Sequence, residues 1–164
     1  MSNLPMPALA ATAAHAAAAE LEDELLADIP LARAMALSIA GYDGDSLTIA
    51  APLAPNINDK GCAFGGSLAS LMTLAGWGLV KLAAGARAIG CDIYVQDSTI
   101  RYLAPVWQDF QAVARLADGE TFAAFFDALA LRGKARLRAR CAVSLADGSA
   151  AATLDAAFVA LARR

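Results

Sequence analysis

The stretch from Gly61 to Val80 contains no charged residue, and it limits the fold of this chain more than any other feature. A run of this length is long enough to span a bilayer. Its hydrophobicity is diluted, however, by seven small or polar residues: Gly65, Gly66, Ser67, Ser70, Thr73, Gly76 and Gly78. We therefore predict a helix buried on all sides, from about Cys62 to Ala84 and closed by Gly85, and no membrane span.

The segments that flank this run alternate between apolar and small or polar residues, as half-buried strands do. We predict a helix at Glu20–Asp28 ended by Pro30, a hairpin at Leu37–Leu53, strands at Ile93–Leu103, Phe110–Leu116 and Lys134–Ala146, a helix capped by Asp118 and closed by Gly133, and a last strand to Leu161. Six antiparallel strands cannot leave the uncharged helix exposed. The sequence therefore predicts an α+β fold in which a curved antiparallel sheet wraps around a long central helix.

The first nineteen residues are rich in alanine, and no basic residue occurs before Arg33. A secretory signal begins with basic residues, so we predict none here. We expect a flexible N-terminal arm at residues 1–19 and a single domain at residues 20–164, which is large enough to bury its own core. Hydrophobic residues make up 59% of the chain and charged residues 18%, which favours association with further subunits.

Charge and cysteine content argue against several classes of function. A net charge of −3 is not typical of a nucleic-acid binder. Cys62, Cys91 and Cys141 lie far apart without a CxxC pair, and His15 is the only histidine, so we predict no metal site. An odd number of cysteines leaves one unpaired in any disulfide scheme. Free thiols in a reducing cytosol are the simpler interpretation, which predicts a cytoplasmic location.

The segment before the uncharged helix combines amide, carboxylate and glycine residues. Asn56, Asn58 and Asp59 precede the helix, and Gly65 and Gly66 stand near its beginning. The first turn of a helix has free backbone N–H groups and the positive end of the helix dipole. Glycines let a ligand approach those groups, which suits a carbonyl oxygen that becomes negative during acyl transfer. The alternative is an ordinary helix start capped by Asn58 or Asp59.

This segment resembles the YiiD-type thioesterase family of the hotdog superfamily. The matching motifs are Asn-Ile-Asn-Asp-Lys-Gly at residues 56–61, Phe-Gly-Gly-Ser at 64–67, Leu-Ala-Gly-Trp-Gly at 74–78, Gln-Asp-Ser at 96–98 and Arg-Tyr-Leu-Ala-Pro at 101–105. The resemblance covers about residues 22–162. It implies a hotdog fold, hydrolysis of an acyl thioester, and a site formed between two subunits of a homodimer or a dimer of dimers.

A looser resemblance, to the PaaI-like hotdog thioesterases, concerns the catalytic groups. Those enzymes have an asparagine six residues before a His-Gly-Gly motif. Asn58 stands at that asparagine, and Phe64, Gly65 and Gly66 replace the motif. Thr73 stands where the catalytic aspartate of that group lies, and threonine is not a general base at neutral pH. Either another carboxylate serves as the base, or the chain binds thioesters without hydrolysing them efficiently.

Asp97 is the first alternative base, because a carboxylate inside an apolar strand is unusual and indicates a function or a charged partner. Strand alternation places it on one face with Val95 and Arg101, so an ion pair with Arg101 is the alternative. Asp59 is a second candidate, although a helix cap explains it at least as well. Gln96 lies on the opposite face, where it either orients a water molecule or meets solvent.

These interpretations assign a role to each site residue. We predict catalytic roles for Asp97 as the base, Asn58 as the group that orients the acyl group or the water, and Gly66 through its backbone N–H. The substrate-binding residues are predicted to be Asn56, Asp59, Phe64, Gly65, Ser67, Thr73 and Gln96. The acyl chain is expected beside Leu68 and Met72 of the helix. Hydrolysis of acyl-CoA or of an acyl-carrier protein needs no metal and no further cofactor, since coenzyme A is part of the substrate.

Four basic residues occupy one face of a predicted strand, namely Lys134, Arg136, Arg138 and Arg140. They form either a solvated outer face of the sheet or a surface that attracts coenzyme A phosphates or an acidic carrier protein. Two other functions compete with hydrolysis. Thr73 favours a non-catalytic acyl-CoA or acyl-carrier binding module, whereas a hotdog dehydratase usually needs a site histidine and His15 lies in the arm.

Overall fold

The computed structural model describes residues 6–163, with side chains from residue 10 onward. The first five residues of the predicted arm lie outside the described residues. Helix α1 (Met6–Asp28) runs without a break through the boundary that we predicted at residue 20. Alanine has the highest helix propensity, and Ala18, Leu21 and Leu25 anchor the second half of α1 in the core. The alanine-rich segment is thus helical from Met6, and its flexibility stays a prediction.

In the described residues, α1 is followed by three more α-helices, six strands and one 3₁₀ turn (Ala54–Asn56). The α-helices and strands are α2 (Pro30–Ala34), β1 (Ser38–Tyr42), β2 (Ser46–Ala51), α3 (Gly65–Gly85), β3 (Cys91–Tyr102), β4 (Phe110–Leu116), α4 (Phe122–Arg132), β5 (Lys134–Ser144) and β6 (Ala150–Ala162). All six strands form one antiparallel sheet in the order β1-β2-β4-β5-β6-β3. Helix α3 packs against β2, β3, β4, β5 and β6. The predicted α+β fold, with a central helix held by a curved sheet, is confirmed.

Helix α3 approaches the sheet closely at its glycines. A Cβ atom on Gly76 would lie 2.7 Å from Cζ of the buried Phe158, and one on Gly78 would lie 2.8 Å from Cδ2 of Leu47. The small residues that dilute the hydrophobicity of the run therefore let the helix backbone contact core side chains directly. By length and composition α3 could cross a membrane, but most of its apolar window is buried inside this fold.

Two helices start later than the sequence predicted. The cap of α4 is Thr121 rather than Asp118, since Oγ1 of Thr121 accepts a hydrogen bond from the Ala124 N–H at 3.2 Å. The Asp118 carboxylate instead pairs with Arg140 at 2.8 Å. Gly133 closes α4 in the left-handed conformation, as predicted.

The start of α3 also lies beyond its predicted position. The N–H of Asn58 donates to the carbonyl of Cys62 at 2.8 Å, and Ile57 pairs with Ala63 in an isolated bridge. These contacts hold residues 57–63 as a closed loop. The helix consequently begins at Gly65.

Candidate functional site

The first turn of α3 has backbone N–H donors without an acceptor among the described residues. Phe64 occupies the N-cap position, and its side chain has no oxygen to accept a hydrogen bond. Within α3, which begins at Gly65, the first N–H group with an acceptor is that of Leu68, which donates to the Phe64 carbonyl at 3.1 Å. Among the described residues, none accepts a hydrogen bond from the N–H of Gly65, Gly66 or Ser67. The alternative interpretation, a helix start capped by Asn58 or Asp59, is therefore excluded, and the turn keeps its affinity for an anionic oxygen.

Two aromatic rings lie beside these donors. The Phe64 ring occupies the space that a Cβ on Gly66 would need, and the Tyr102 ring lies 3.3 Å from the corresponding position on Gly65. The Tyr102 hydroxyl donates to the Gly65 carbonyl at 3.2 Å. Both rings are more than half exposed. The glycines thus make room for the rings as well as for a ligand, and Tyr102 is a site residue that the sequence motif contained without indicating its role.

Asn56 is buried beneath the start of the helix. Its Nδ2 donates to the carbonyls of Met35 at 2.9 Å and Pro52 at 2.8 Å, and its own carbonyl accepts from the Phe64 N–H at 2.7 Å. Only 2% of the residue is exposed, and Oδ1 has no partner among the described residues. The contacts give Asn56 a scaffolding role. Its predicted contact with substrate stays untested.

Asn58 and Asp59 lie in the loop before the helix. Asn58 Oδ1 accepts from the Lys60 N–H at 2.9 Å, and Nδ2 donates to Sγ of Cys62 at 3.2 Å. The Asp59 carboxylate pairs with Lys60 in solvent. Both the oxygen and the nitrogen of the Asn58 side-chain amide are thus bonded inside the loop, where they keep residues 58–62 closed.

The helix residues beyond the first turn divide between the core and the open side. Thr73 is half-buried, and its hydroxyl donates to the Ala69 carbonyl at 2.8 Å. Ser67 is half-buried as well. Leu68 and Met72, which we predicted beside the acyl chain, are buried in the core cluster. Because both side chains are buried by other residues of the same chain, they are not available to contact an acyl chain.

A bulge in β3 changes the face on which Asp97 lies. Val95 pairs with Phe158 and Asp97 pairs with Ala157, so Gln96 is an extra residue between two successive pairs. Paired residues in antiparallel strands lie on the same face of the sheet, and consecutive residues lie on opposite faces. Asp97 therefore lies on the outer face while Val95 lies on the helix side. The prediction that the two share a face is wrong.

The Asp97 carboxylate is engaged by arginines of the neighbouring surface. Arg136 lies 3.0 Å from it and Arg138 3.9 Å, so the predicted partner Arg101 is replaced by Arg136. Asp97 is five residues along β3 from Tyr102, roughly 16 Å at strand geometry. Within one chain it lies across the sheet and far from the start of α3. Its role as the base stays a prediction, which this geometry does not favour.

The three cysteines are free thiols. Burial raises the pKa of Cys141 to about 12, and burial also raises the pKa of Cys91. Neither is a thiolate at neutral pH, so neither is suited to nucleophilic attack. Within residues 6–163, no group of three His, Cys, Asp or Glu side chains could hold a metal ion.

An apolar surface that the sequence did not indicate surrounds the start of α3. It consists of large side chains that are more than half exposed: Ile57, Phe64, Tyr102, Leu103 and Trp107. The Ala63 N–H donates to the Val106 carbonyl at 2.7 Å, which joins the loop before α3 to the loop after β3. This contact and the hydrogen bond from the Tyr102 hydroxyl to the Gly65 carbonyl bring the two groups of residues together. An exposed apolar surface of this kind marks a place where a ligand or a partner binds.

We predict that Asn56→Ala lowers the free energy of unfolding by about 2–4 kcal/mol, because it leaves two buried carbonyls without their donor. Urea denaturation measures the change. Asn58→Ala is the matched control. Its half-buried amide is replaceable by water, so we expect a loss of about 1 kcal/mol or less. Unchanged stability of Asn56→Ala together with lost substrate binding would instead place Asn56 in contact with the substrate.

Comparison with known proteins agrees with this architecture. Residues 18–162 match the model of the family described as "Putative thioesterase (yiiD_Cterm)". A protein of unknown function from Chlorobaculum tepidum TLS has 32% sequence identity and a TM-score of 0.83, over 89% of this chain and 94% of that chain. A "putative thioesterase" from Shewanella oneidensis has 30% identity and a TM-score of 0.79, over 90% and 99%. The chain therefore belongs to the YiiD-type thioesterase family and has the hotdog fold.

Proposed function

We propose that this protein hydrolyses an acyl thioester of coenzyme A or of an acyl-carrier protein at the start of α3. The single observation that carries the proposal is the set of unpaired N–H groups at Gly65, Gly66 and Ser67. Membership of a thioesterase family supports the reaction class. The identity of the carrier, coenzyme A or a carrier protein, is part of what we propose.

The unpaired donors suit the charge that develops during hydrolysis. When water attacks the thioester carbon and gives up a proton, the carbonyl oxygen becomes an oxyanion. Collapse of the tetrahedral intermediate breaks the C–S bond, which leaves a carboxylic acid and a carrier thiolate that takes up a proton. Preorganised N–H groups stabilise that oxyanion, and loss of one such donor typically costs about 10²–10³ in rate. Asn58 supports the site by keeping its loop closed, and Phe64 and Tyr102 flank the reacting group.

Gly66→Val tests the role of this turn. We predict that the variant folds, because the Phe64 ring is half exposed and can move aside, and that it loses at least about 10²-fold in turnover. The measurement is release of free thiol from a panel of acyl-CoA substrates of different chain length. Gly85→Val, at the other end of the same helix with nothing within 4 Å of its Cβ position, is the control. Normal turnover by folded Gly66→Val would contradict the oxyanion role.

Asp97→Asn tests the base. Because Asp97 pairs with Arg136 on the outer face, we expect kcat of the variant to change less than about tenfold. Removal of a general base would instead lower the rate by about 10²–10⁴. The control is Asp155→Asn, since Asp155 pairs with Arg140 on the same face at 3.2 Å. A loss of 10²-fold or more in the Asp97 variant alone would establish Asp97 as the base. Thr73→Asp is the companion variant, and a rise in turnover there would show that Thr73 faces the thioester.

A non-catalytic acyl-thioester binding module is the alternative function. It is favoured by Thr73, which stands where the PaaI-like enzymes have their aspartate, and by the engagement of Asp97 elsewhere. The substrate panel separates the two functions. Saturable binding of acyl-CoA without thiol release by the wild-type protein would support the module.

We further propose a homodimer, alone or as half of a dimer of dimers, formed through the free edge of β3. This strand has twelve residues and is exposed over Tyr94–Thr99, and within the described part of the chain β6 is its one neighbour in the sheet. Such a long unprotected edge is a ready template for pairing with another strand. A second copy there would also cover exposed apolar residues near the start of α3.

Val95→Lys tests this interface. Lysine on an edge strand opposes strand pairing, so we predict that wild-type protein has at least twice the mass of one chain in light scattering and that the variant is a monomer. Leu131→Lys is the control, since Leu131 is 81% exposed on α4 and lies far along the chain from β3. A wild-type protein that is monomeric at micromolar concentration would exclude the dimer.

A further inference from the structure

The outer face of the sheet carries two arginines directly opposite each other. Arg115 of β4 pairs in register with Arg140 of β5. Both side chains are exposed on the face that lies away from α3. Like charges at directly opposed positions destabilise a sheet, so this arrangement needs a compensating anion.

Carboxylates compensate one of these two arginines. Asp118 lies 2.8 Å from Arg140 and Asp155 lies 3.2 Å from it, and these contacts raise the pKa of Arg140. Arg115 has no carboxylate within 4 Å among the described residues. It acts only at longer range on Asp43, whose pKa is lowered mainly by the N–H groups of Ser46 and Asp45. The charge of Arg115 is therefore available to a ligand.

A third arginine lies on the same outer face, on strand β3 at the edge of the sheet. Arg101 of β3 lines one cavity together with Arg115 and Arg140, and it too has no carboxylate within ion-pair distance in the described part of the chain. The cavity has a volume of about 630 Å³, which is within the range of sites for small molecules. Strands β3 and β4 are separated by β6 and β5, so their backbones lie roughly 14 Å apart.

Small side chains form the floor between the two free arginines. Val113, Ala142 and Thr153 line the cavity and pair with Arg101 along one row of the sheet. A flat group can lie on this floor, since none of the three side chains projects far from the strands. The remaining charged groups at the cavity are Asp118 and Asp155, and both are held by Arg140.

We propose that this outer basin, lined by Arg101, Arg115 and Arg140, binds a nucleotide-sized ligand that is phosphorylated at two positions. One phosphate lies at Arg101 and the other at Arg115, with the base or sugar on the small residues between them. Guanidinium groups suit phosphate because their parallel N–H donors match its oxygens. The site is separate from the helix start, because the sheet lies between them. Its ligand is either a free nucleotide or the nucleotide end of coenzyme A.

A second copy of the chain is a poorer occupant of this basin. Symmetric contact of two such faces would place one positively charged basin against another. Repulsion between the uncompensated charges opposes that contact.

Calorimetric titration with adenosine 3′,5′-bisphosphate tests the basin. We expect saturable binding that weakens at least tenfold in Arg115→Gln and in Arg101→Gln, two exposed substitutions that leave the core intact. Adenosine without phosphate is expected not to bind. Arg132→Gln, an exposed arginine on α4, is the matched control and should bind like wild type. Absence of saturable binding, or equal loss in the Arg132 control, overturns the proposal.

A kinetic comparison identifies the source of the phosphates and rests on the proposed thioesterase function. If coenzyme A occupies the basin, Arg115→Gln raises KM for an acyl-CoA and leaves KM unchanged for the same acyl group on N-acetylcysteamine. If a free nucleotide occupies it, both KM values stay unchanged while the calorimetric loss remains. The titration itself requires no turnover, so a protein without thioesterase activity still tests the basin.

Discussion

The close contact of α3 with the sheet is the constraint on which the rest of the structure depends. A helix without charges along most of its length has no side chain that needs to reach bulk water, so it can be covered by strands on several sides. Gly76 brings its backbone against the ring of Phe158, which is fully buried and has little freedom to move. Interiors are packed too densely to absorb such a shift cheaply. The helix axis is therefore fixed relative to the sheet, and its first turn is fixed with it.

A fixed helix start is what the proposed chemistry requires. Donors stabilise an oxyanion effectively only when they are already in place, since any reorganisation consumes the gain. Asn56 holds the carbonyls of Met35 and Pro52 and receives the Phe64 N–H, which ties three segments together below the turn. Phe64 leaves the next donors open because its side chain cannot accept a hydrogen bond. Residues of one segment thus provide both a rigid support beneath the turn, through Asn56, and an uncapped turn, through Phe64.

The two faces of the sheet have different chemistry, and the bulge at Gln96 decides which face receives Asp97. On the helix side the strands present apolar residues to α3. On the outer side β5 presents Arg136, Arg138 and Arg140, and carboxylates from other strands and loops neutralise part of that charge. Exposed ion pairs of this kind add little to stability, because solvent screens them. Their main effect is on the electrostatic field that an anionic ligand meets at this face.

The uncharged run and the alternating strands were enough to predict an α+β fold with a curved sheet around a central helix. The family resemblance of motifs such as Phe-Gly-Gly-Ser implied the hotdog fold and the neighbourhood of the candidate site. These features depend on local periodicity and on residue type, which a linear sequence displays directly. The sequence could not show that Gln96 is a bulge residue, because a bulge appears only when β3 is paired with β6. Nor could it show that Thr121 rather than Asp118 caps α4, or that Phe64 leaves the first turn of α3 without a side-chain cap. Caps, ion-pair partners and the face of a strand residue depend on which segments lie side by side, and long-range packing decides that.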